Sequence, residues 1–258
     1  MSEHNISIGV IGREHLDSLT ACYRQVYGGA SAWREFRCCP ICNRLWSIQE
    51  WASYISERQT KGLYIDHCLC GGHIVDRWPV EEVRQYILDE AIERPHMVSV
   101  ALFDDDNLIG FIWGYNVGVD EIESQKNIPD FTASVRRKFG DVTHVFYQSE
   151  MGVLQPYQRC GFGKLLFWAR LCLALDFGYS IGVLRTNESA GSYHMMTKYG
   201  GYEHLTSYPL PGVEPRIILG ANLQEVRNVF YRKDPDLRSR LLSVTLQENL
   251  SKIMERSN

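Results

Sequence analysis

Glu150-Met151-Gly152-Val153-Leu154-Gln155-Pro156-Tyr157-Gln158-Arg159-Cys160-Gly161-Phe162-Gly163-Lys164 is the stretch whose reading decides the fold. Residues 142–154 read as a long strand, 155–163 as a glycine-bearing loop and 163–177 as a strongly apolar helix. Gln158, Gly161 and Gly163 make a Q-x-x-G-x-G pattern at the helix start. Glycines there let the backbone approach a ligand. The free N–H groups of the first turn and the helix dipole then favour an anion, typically a diphosphate. Arg159 and Lys164 add positive charge. A dinucleotide-binding loop would need G-x-G-x-x-G and a nucleotide-triphosphate loop G-x-x-x-x-G-K-S/T, and neither pattern is present. The bland alternative is an ordinary tight turn.

The flanking elements take shape from their spacing. Residues 6–11 suit a short strand. Residues 14–27 place Leu16, Leu19, Cys22, Tyr23 and Val26 at helical spacing, and Gly28 and Gly29 stop that helix. Pro79 opens a second helix with Val80, Val83, Ile87 and Ala91 on one face. Val98, Val100 and Leu102, a turn at 104–107, then Ile109, Phe111, Trp113 and Tyr115 read as a hairpin. Residues 116–141 read as a polar, irregular cover over a cleft. A strand at 180–185, a helix at 189–199 stopped by Gly200-Gly201, and a late strand at 227–232 follow. Asp234 and Pro235 then open a terminal helix with Leu242, Leu246, Leu250 and Ile253 on one face. No internal repeat is visible.

This order resembles the GNAT N-acetyltransferase superfamily. Glu150 to Val153 looks like its central strand, with Val153 eight residues before Gly161, and Gln158 to Gly163 like its pyrophosphate loop. Arg185-Thr186-Asn187, the helix with Ala190, and Gly201-Tyr202 match its N-x-x-A…G-F segment. The resemblance covers 1–29 and 79–232. It implies an α/β fold with a mixed, mostly antiparallel central sheet flanked by helices. It also implies acetyl-coenzyme A as co-substrate, lying where two parallel strands splay apart. Backbone N–H groups of Gly152 and Val153 would polarise the thioester carbonyl, with Met151 beside them. Gln158, Arg159, Cys160, Gly161, Phe162, Gly163 and Lys164 would hold the diphosphate, and Asn187 would contact the cofactor from the other side.

The implied reaction is direct attack of an amine on the thioester. An alkylamine near pKa 10 is mostly protonated at neutral pH, so a base is useful. Glu150 is the first candidate, and an outward-facing or ion-paired strand glutamate is its equal rival. Asp141 and His144 rank lower. The family's usual tyrosine falls here on Thr197 or Met196, a departure. Tyr193, one turn earlier on the same face, is the choice for protonating the leaving thiolate. Its rival role is packing.

The second signal is the cysteines. Five of the eight lie between Cys38 and Cys70. Cys39-x-x-Cys42 and Cys68-x-Cys70, separated by 25 residues, resemble the two knuckles of a zinc ribbon, with Cys38, His67 and His73 as substitute ligands. Residues 30–78 thus read as a zinc-binding insert, with a short helix at 47–58. Free thiols or a redox pair are the alternative. Trp33, Trp46, Trp51 and Trp78 read as its small core or as a hydrophobic substrate surface.

Composition narrows the rest. A net charge of −4 over 258 residues argues against broad nucleic-acid binding. No stretch approaches a membrane span, and residues 1–9 carry no apolar signal core, so a cytoplasmic location is the expectation. The terminal stripe on 233–258 would bury against its own domain or form a homodimer. The reading is an acetyl-coenzyme A-dependent N-acetyltransferase acting on a primary amine of a small molecule or peptide. Asp120, Glu121, Glu123 and Asp130 weakly suggest a cationic acceptor. The rivals are a non-catalytic acyl-coenzyme A-binding module, and a protein-directed transferase that docks through the insert, where Arg34, Arg37, Arg44 and Arg58 cluster.

Overall fold

Two sheets carry the chain, in a computed structural model that describes residues 5–29, 35–210 and 213–236. The elements in order are β1 (Ile6–Val10), α1 (Leu16–Gly28), β2 (Arg37–Cys38), β3 (Leu45–Trp46), α2 (Ile48–Thr60), β4 (Val75–Asp76), α3 (Val80–Ile87), β5 (Met97–Asp104) and β6 (Asn107–Gly118). They continue with α4 (Val119–Lys126), α5 (Phe131–Phe139), β7 (His144–Val153), α6 (Phe162–Asp176), β8 (Ile181–Thr186), α7 (Gly191–Lys198), β9 (Glu203–Leu210), β10 (Val213–Asn222) and α8 (Leu223–Lys233). The large sheet has seven strands in the order β1-β5-β6-β7-β8-β10-β9. Every neighbouring pair is antiparallel except β7 with β8. The small sheet, β3-β2-β4, lies within the cysteine-rich segment. No helix among the described residues is long and apolar enough to cross a membrane.

Strand alternation sends side chains to two faces. Val98, Val100, Leu102, Ile112 and Phe146 meet α6 and α8 on one face. Helix α6 is apolar nearly all round because it is covered twice: the sheet lies beneath it, and Phe230 of α8 stacks on Phe167 with centroids 5.0 Å apart. On the opposite face Phe111 and Trp113 pack on α1 and α3, while Tyr115, Val117, Tyr147 and Val183 pack on α4 and α5.

One irregularity in β7 decides where Glu150 points. Tyr147 pairs with Tyr115 but Glu150 with Trp113, so Gln148 and Ser149 together oppose Gly114. This is a β-bulge, and it shifts the alternation of β7 by one residue. Without it Glu150 would share the α6 face with Phe146. With it Glu150 joins Trp113 on the α1 face. Gly114 is required, since a Cβ there would lie 2.6 Å from the Tyr147 carbonyl oxygen.

Two sequence expectations are corrected. Residues 116–141 are not irregular. They form α4 and α5, whose Val119, Ile122, Phe131 and Val135 are buried at helical spacing among polar neighbours that mask the pattern. The strand expected at 227–232 is helix α8: Leu223, Val226 and Phe230 make its buried face, and the Asn222 side chain accepts the N–H groups of Gln224 and Glu225. The closing strands are instead β9 and β10. Asp234 stands at the C-terminal end of α8, and the terminal helix that the sequence has it opening lies outside the described residues. The terminal stripe, Trp33 and Arg34 lie outside the described residues.

Candidate active site

The parallel pair β7–β8 is in register only at Phe146–Gly182, Tyr147–Val183 and Gln148–Leu184. Beyond Gln148, β7 keeps β6 as its neighbour out to Val153, while β8 stays on β10 out to Thr186. A V therefore opens where the bulge sits. Leu154 donates its N–H to the Ile109 carbonyl at 2.9 Å. Alternation turns the Gly152 amide toward β6 as well, and the Val153 and Met151 amides toward the V. The expectation that Gly152 offers its amide there is corrected. Gly152 serves packing: a Cβ would lie 2.6 Å from the Phe111 ring and 2.7 Å from Val26, so its absence lets α1 close on the sheet.

The loop after β7 is tied at both ends. The Gln158 side-chain amide donates to the Val153 carbonyl at 2.9 Å, and the Tyr157 hydroxyl to Asp104 at 2.8 Å. Arg159 and Gly161 both sit in the left-handed region, φ 64° and 89°, and Gly161 is the N-cap of α6. Around Gly163 nothing stands within 4 Å of a would-be Cβ, so the first turn of α6 is open to an approaching group. Cys160 is exposed, and Phe162 packs beside Tyr157. Lys164 is turned toward Tyr199, 4.3 Å from the ring centroid, and toward Asp234. Asn187 is 3% exposed and accepts from the Ser189 hydroxyl at the turn into α7.

A cavity of about 190 Å³ occupies the V on the α1 face, lined by Gln148 to Met151 of β7, Leu184 and Arg185 of β8, and Tyr27 of α1. Glu150 sits in its wall. One carboxylate oxygen accepts from the Tyr27 hydroxyl and the other from the Tyr86 hydroxyl at 2.9 Å. Burial pushes the Glu150 carboxyl above the usual carboxylate range, against the pull of these two hydroxyls. Beneath the V the buried Arg170 donates to the Trp113 carbonyl at 3.1 Å and to the Gln148 side chain, whose own N–H donates to the Tyr202 hydroxyl. Burial presses Arg170 down to about 9 and lifts the Tyr202 hydroxyl to about 12. This chain holds the bulge residue Gln148 from below.

Several expected residues lie elsewhere. Tyr193 packs against the α6-side core, whereas Ser192 and Met196 of the same helix line the cavity. Asp141 and His144 are exposed near the start of β7, at the far end from Glu150. Asp120 pairs with Arg136, Glu121 with Arg94, and Glu123 accepts the Thr132 N–H. None of these carboxylates lines the Glu150 cavity, so they do not shape it. Sequence reasoning missed Tyr27 and Tyr86, which sit on α1 and α3 as ordinary core-facing aromatics. Only the sheet brings them to Glu150.

The small sheet brings the four cysteines together. The sulfurs of Cys39, Cys42, Cys68 and Cys70 all lie within 4.8 Å of one another, Cys39 to Cys70 at 3.4 Å and Cys42 to Cys68 at 3.6 Å. Four thiolates around Zn²⁺ at Zn–S distances of about 2.3 Å would stand about 3.8 Å apart, so the set fits that ion. Gly72 is needed here, since a Cβ would lie 2.8 Å from the Cys39 sulfur. The Cys42 and Ile41 backbone N–H groups hold the Cys39 thiol down to about 7. Trp46, Trp51 and Tyr54 pack around the buried Cys39 and Cys68. Trp78 instead lines the Glu150 cavity and donates its indole N–H to Glu35 at 3.0 Å. Among the described residues that the sequence clusters in the insert, Arg37 pairs with Asp76, Arg44 lies over Trp46, and Arg58 donates to the Tyr64 carbonyl.

No protein-family model and no curated protein sequence matches the chain. Solved structures do. A polyamine N-acetyltransferase of Drosophila melanogaster is 11% identical, with 84% of this chain and 100% of that chain covered and a TM-score of 0.53. NAA60 of Arabidopsis thaliana in complex with acetyl-CoA is 13% identical over 85% and 99%, TM-score 0.50. Arylalkylamine N-acetyltransferase 2 of Aedes aegypti is 12% identical over 85% and 99%, TM-score 0.50. The chain has the GNAT fold: a mixed, mostly antiparallel sheet flanked by helices.

Proposed function

We propose that the protein is an acetyl-coenzyme A-dependent N-acetyltransferase whose acceptor amine enters the cavity at Glu150. The observation that carries this reading is the coincidence of bulge and splay. One irregularity at Gln148–Ser149 both opens the V and aims Glu150 into it. Solved structures of this fold described as polyamine and arylalkylamine N-acetyltransferases add support for an amine acceptor.

The Val153 amide donates to the thioester carbonyl oxygen as negative charge gathers there. One preplaced donor of this kind is worth about 3–4 kcal/mol in well-studied enzymes. Glu150, held by Tyr27 and Tyr86, accepts a proton from the attacking amine, directly or through one water. A C–N bond forms, the C–S bond breaks, and the coenzyme thiolate leaves with a proton that we assign to Tyr193. The open first turn of α6 and the backbone of Arg159 to Gly163 bind the diphosphate, and Gln158 steadies the loop. Asn187, Cys160, Phe162, Lys164 and Met151 complete the proposed cofactor contacts. Cys39, Cys42, Cys68 and Cys70 hold one structural Zn²⁺ that stiffens an insert spanning 30–78.

The test is a thiol-release assay with acetyl-coenzyme A and a panel of primary amines. Release that depends on both amine and Glu150 supports the reading. Cofactor binding without release on any amine would replace it with the non-catalytic alternative. A protein acceptor is the second reading, favoured by the knuckle tips Ile41 and Leu69, which are 69% and 76% exposed.

A further inference from the structure

Four arginines line the same cavity as Glu150: Arg170, already tied to the Trp113 carbonyl and the Gln148 side chain, and Arg77, Arg185 and Arg216. Arg185 lies at the end of β8 and Arg216 on β10. Because Arg185 pairs with Ile218, Arg216 is its diagonal neighbour on the same sheet face. Arg77, just after β4, reaches the cavity from the insert side. Among the described residues neither Arg77 nor Arg185 has a carboxylate at ion-pair distance. Burial and the neighbouring Arg185 press Arg216 downward, as expected for cations crowded together. Glu35 is the one acidic group besides Glu150 in the lining, and burial pushes its carboxyl up against the pull of Arg77 and the Trp78 indole. The lining therefore holds four arginines against two carboxylates, Glu35 and Glu150, that burial disfavours as anions.

A cavity for a plain alkylamine or a polyamine would not be built this way, since a cation entering it meets an excess of like charges. We infer that the acceptor carries an anionic group, a carboxylate or a phosphate, that Arg77, Arg185 and Arg216 bind while its amine faces Glu150. The inference rests on the cavity being the acceptor site. Guanidinium groups suit both anions, since each presents a planar fork of donors to paired oxygens. The reach of Arg77 across from the insert gives that segment a direct part in selecting the acceptor.

The test uses the full chain and matched probes: a series of ω-amino carboxylates and ω-aminoalkyl phosphates, each against the alkylamine of equal length. Binding is read by calorimetry and acetyl transfer by thiol release. We expect the anionic member of a pair to have kcat/KM about tenfold or more above the alkylamine. Arg185→Gln and Arg77→Gln should raise KM for the anionic amine about tenfold and leave KM for the alkylamine in place, with Arg185→Lys recovering part of the loss. The carboxylate and phosphate arms identify which anion is taken. Equal or better transfer to the alkylamine would overturn the inference while leaving the transferase reading intact. So would an arginine effect confined to acetyl-coenzyme A. Arginine-dependent binding of an anionic amine with no thiol release would support the subsite and sink the transferase reading. Failure of both anionic series to bind would overturn the subsite.

Discussion

Gly114 on β6 faces the bulge of β7 so closely that a Cβ there would lie 3.1 Å from the Gln148 Cα. The pair sets the geometry of the V, because the extra residue in β7 exists only where Gly114 makes room. Gly114→Ala should push the bulge outward or flatten it, at about 1–3 kcal/mol of stability as for other overpacked sites. Activity should fall further than stability, since Glu150 turns with the bulge. Thermal melts alongside thiol-release rates check this. A variant that melts lower yet keeps full kcat would show that the bulge does not aim the base.

The glycine was visible in the sequence, and its meaning was not. An isolated glycine within an alternating strand marks a bulge or a close backbone approach, but the alternation of Phe111, Trp113 and Tyr115 continues across Gly114 as if nothing happened. The break is on the partner strand. The phosphate-type loop, the hairpin and the first helix were legible because each is a local pattern. Helices α4 and α5 were not, because polar residues such as Asp120, Glu123 and Arg136 outnumber the four apolar ones that are buried. The Tyr27–Glu150–Tyr86 set was beyond reach for another reason: 123 residues separate Tyr27 from Glu150.

Glu150 should leave two pH signatures. Its folded-state carboxyl titrates above the ordinary value of 4.5, so the folded protein holds a proton that the unfolded chain has lost. Its contribution to stability is therefore fully present below that ordinary value and is lost as pH rises through the folded pKa. Glu150→Gln removes this dependence, so the variant should gain stability relative to the parent as pH climbs through that window. In kcat/KM the ascending limb should begin above the ordinary carboxylate range and vanish in the variant. Tyr27→Phe removes a hydroxyl that holds the carboxyl down, so its limb should move to higher pH. A limb that moved lower, or stayed in place, would separate Tyr27 from the base.

Gly163→Asp isolates cofactor binding from folding. The position has open space for a side chain, and an acid in the first helical turn favours the fold by about 0.3–1 kcal/mol. The same charge faces the diphosphate. The melting temperature should hold or rise while affinity for coenzyme A drops at least about tenfold, a loss of about 1.4 kcal/mol. Calorimetry reading an unchanged Kd would place the diphosphate somewhere other than this loop.

The metal prediction uses a neighbouring cysteine as its control. Cys42→Ser should take bound zinc, measured by elemental analysis, from one per chain to near none. Cys38→Ser should leave it, because Cys38 is outside the four-sulfur cluster. Since Trp78 and Arg77 run from the insert into the cavity, metal loss should also raise the acceptor KM more than that of acetyl-coenzyme A. Zinc retained in full by Cys42→Ser would refute the ligand set.

Tyr193 is tested by separating chemistry from packing. A thiol near pKa 8.5 leaves as a thiolate at neutral pH only with some cost, and a positioned acid commonly contributes about a hundredfold or more. Tyr193→Phe keeps the ring that packs on the α6-side core and deletes only the hydroxyl. If the hydroxyl protonates the thiolate, kcat should fall while the melting temperature and both KM values hold. Ser192, which lines the cavity and sits 3.0 Å from the Thr186 hydroxyl, is the comparison. A kcat that survives Tyr193→Phe but falls with Ser192→Ala would move the proton donor one residue along α7, to the side chain that faces the cavity.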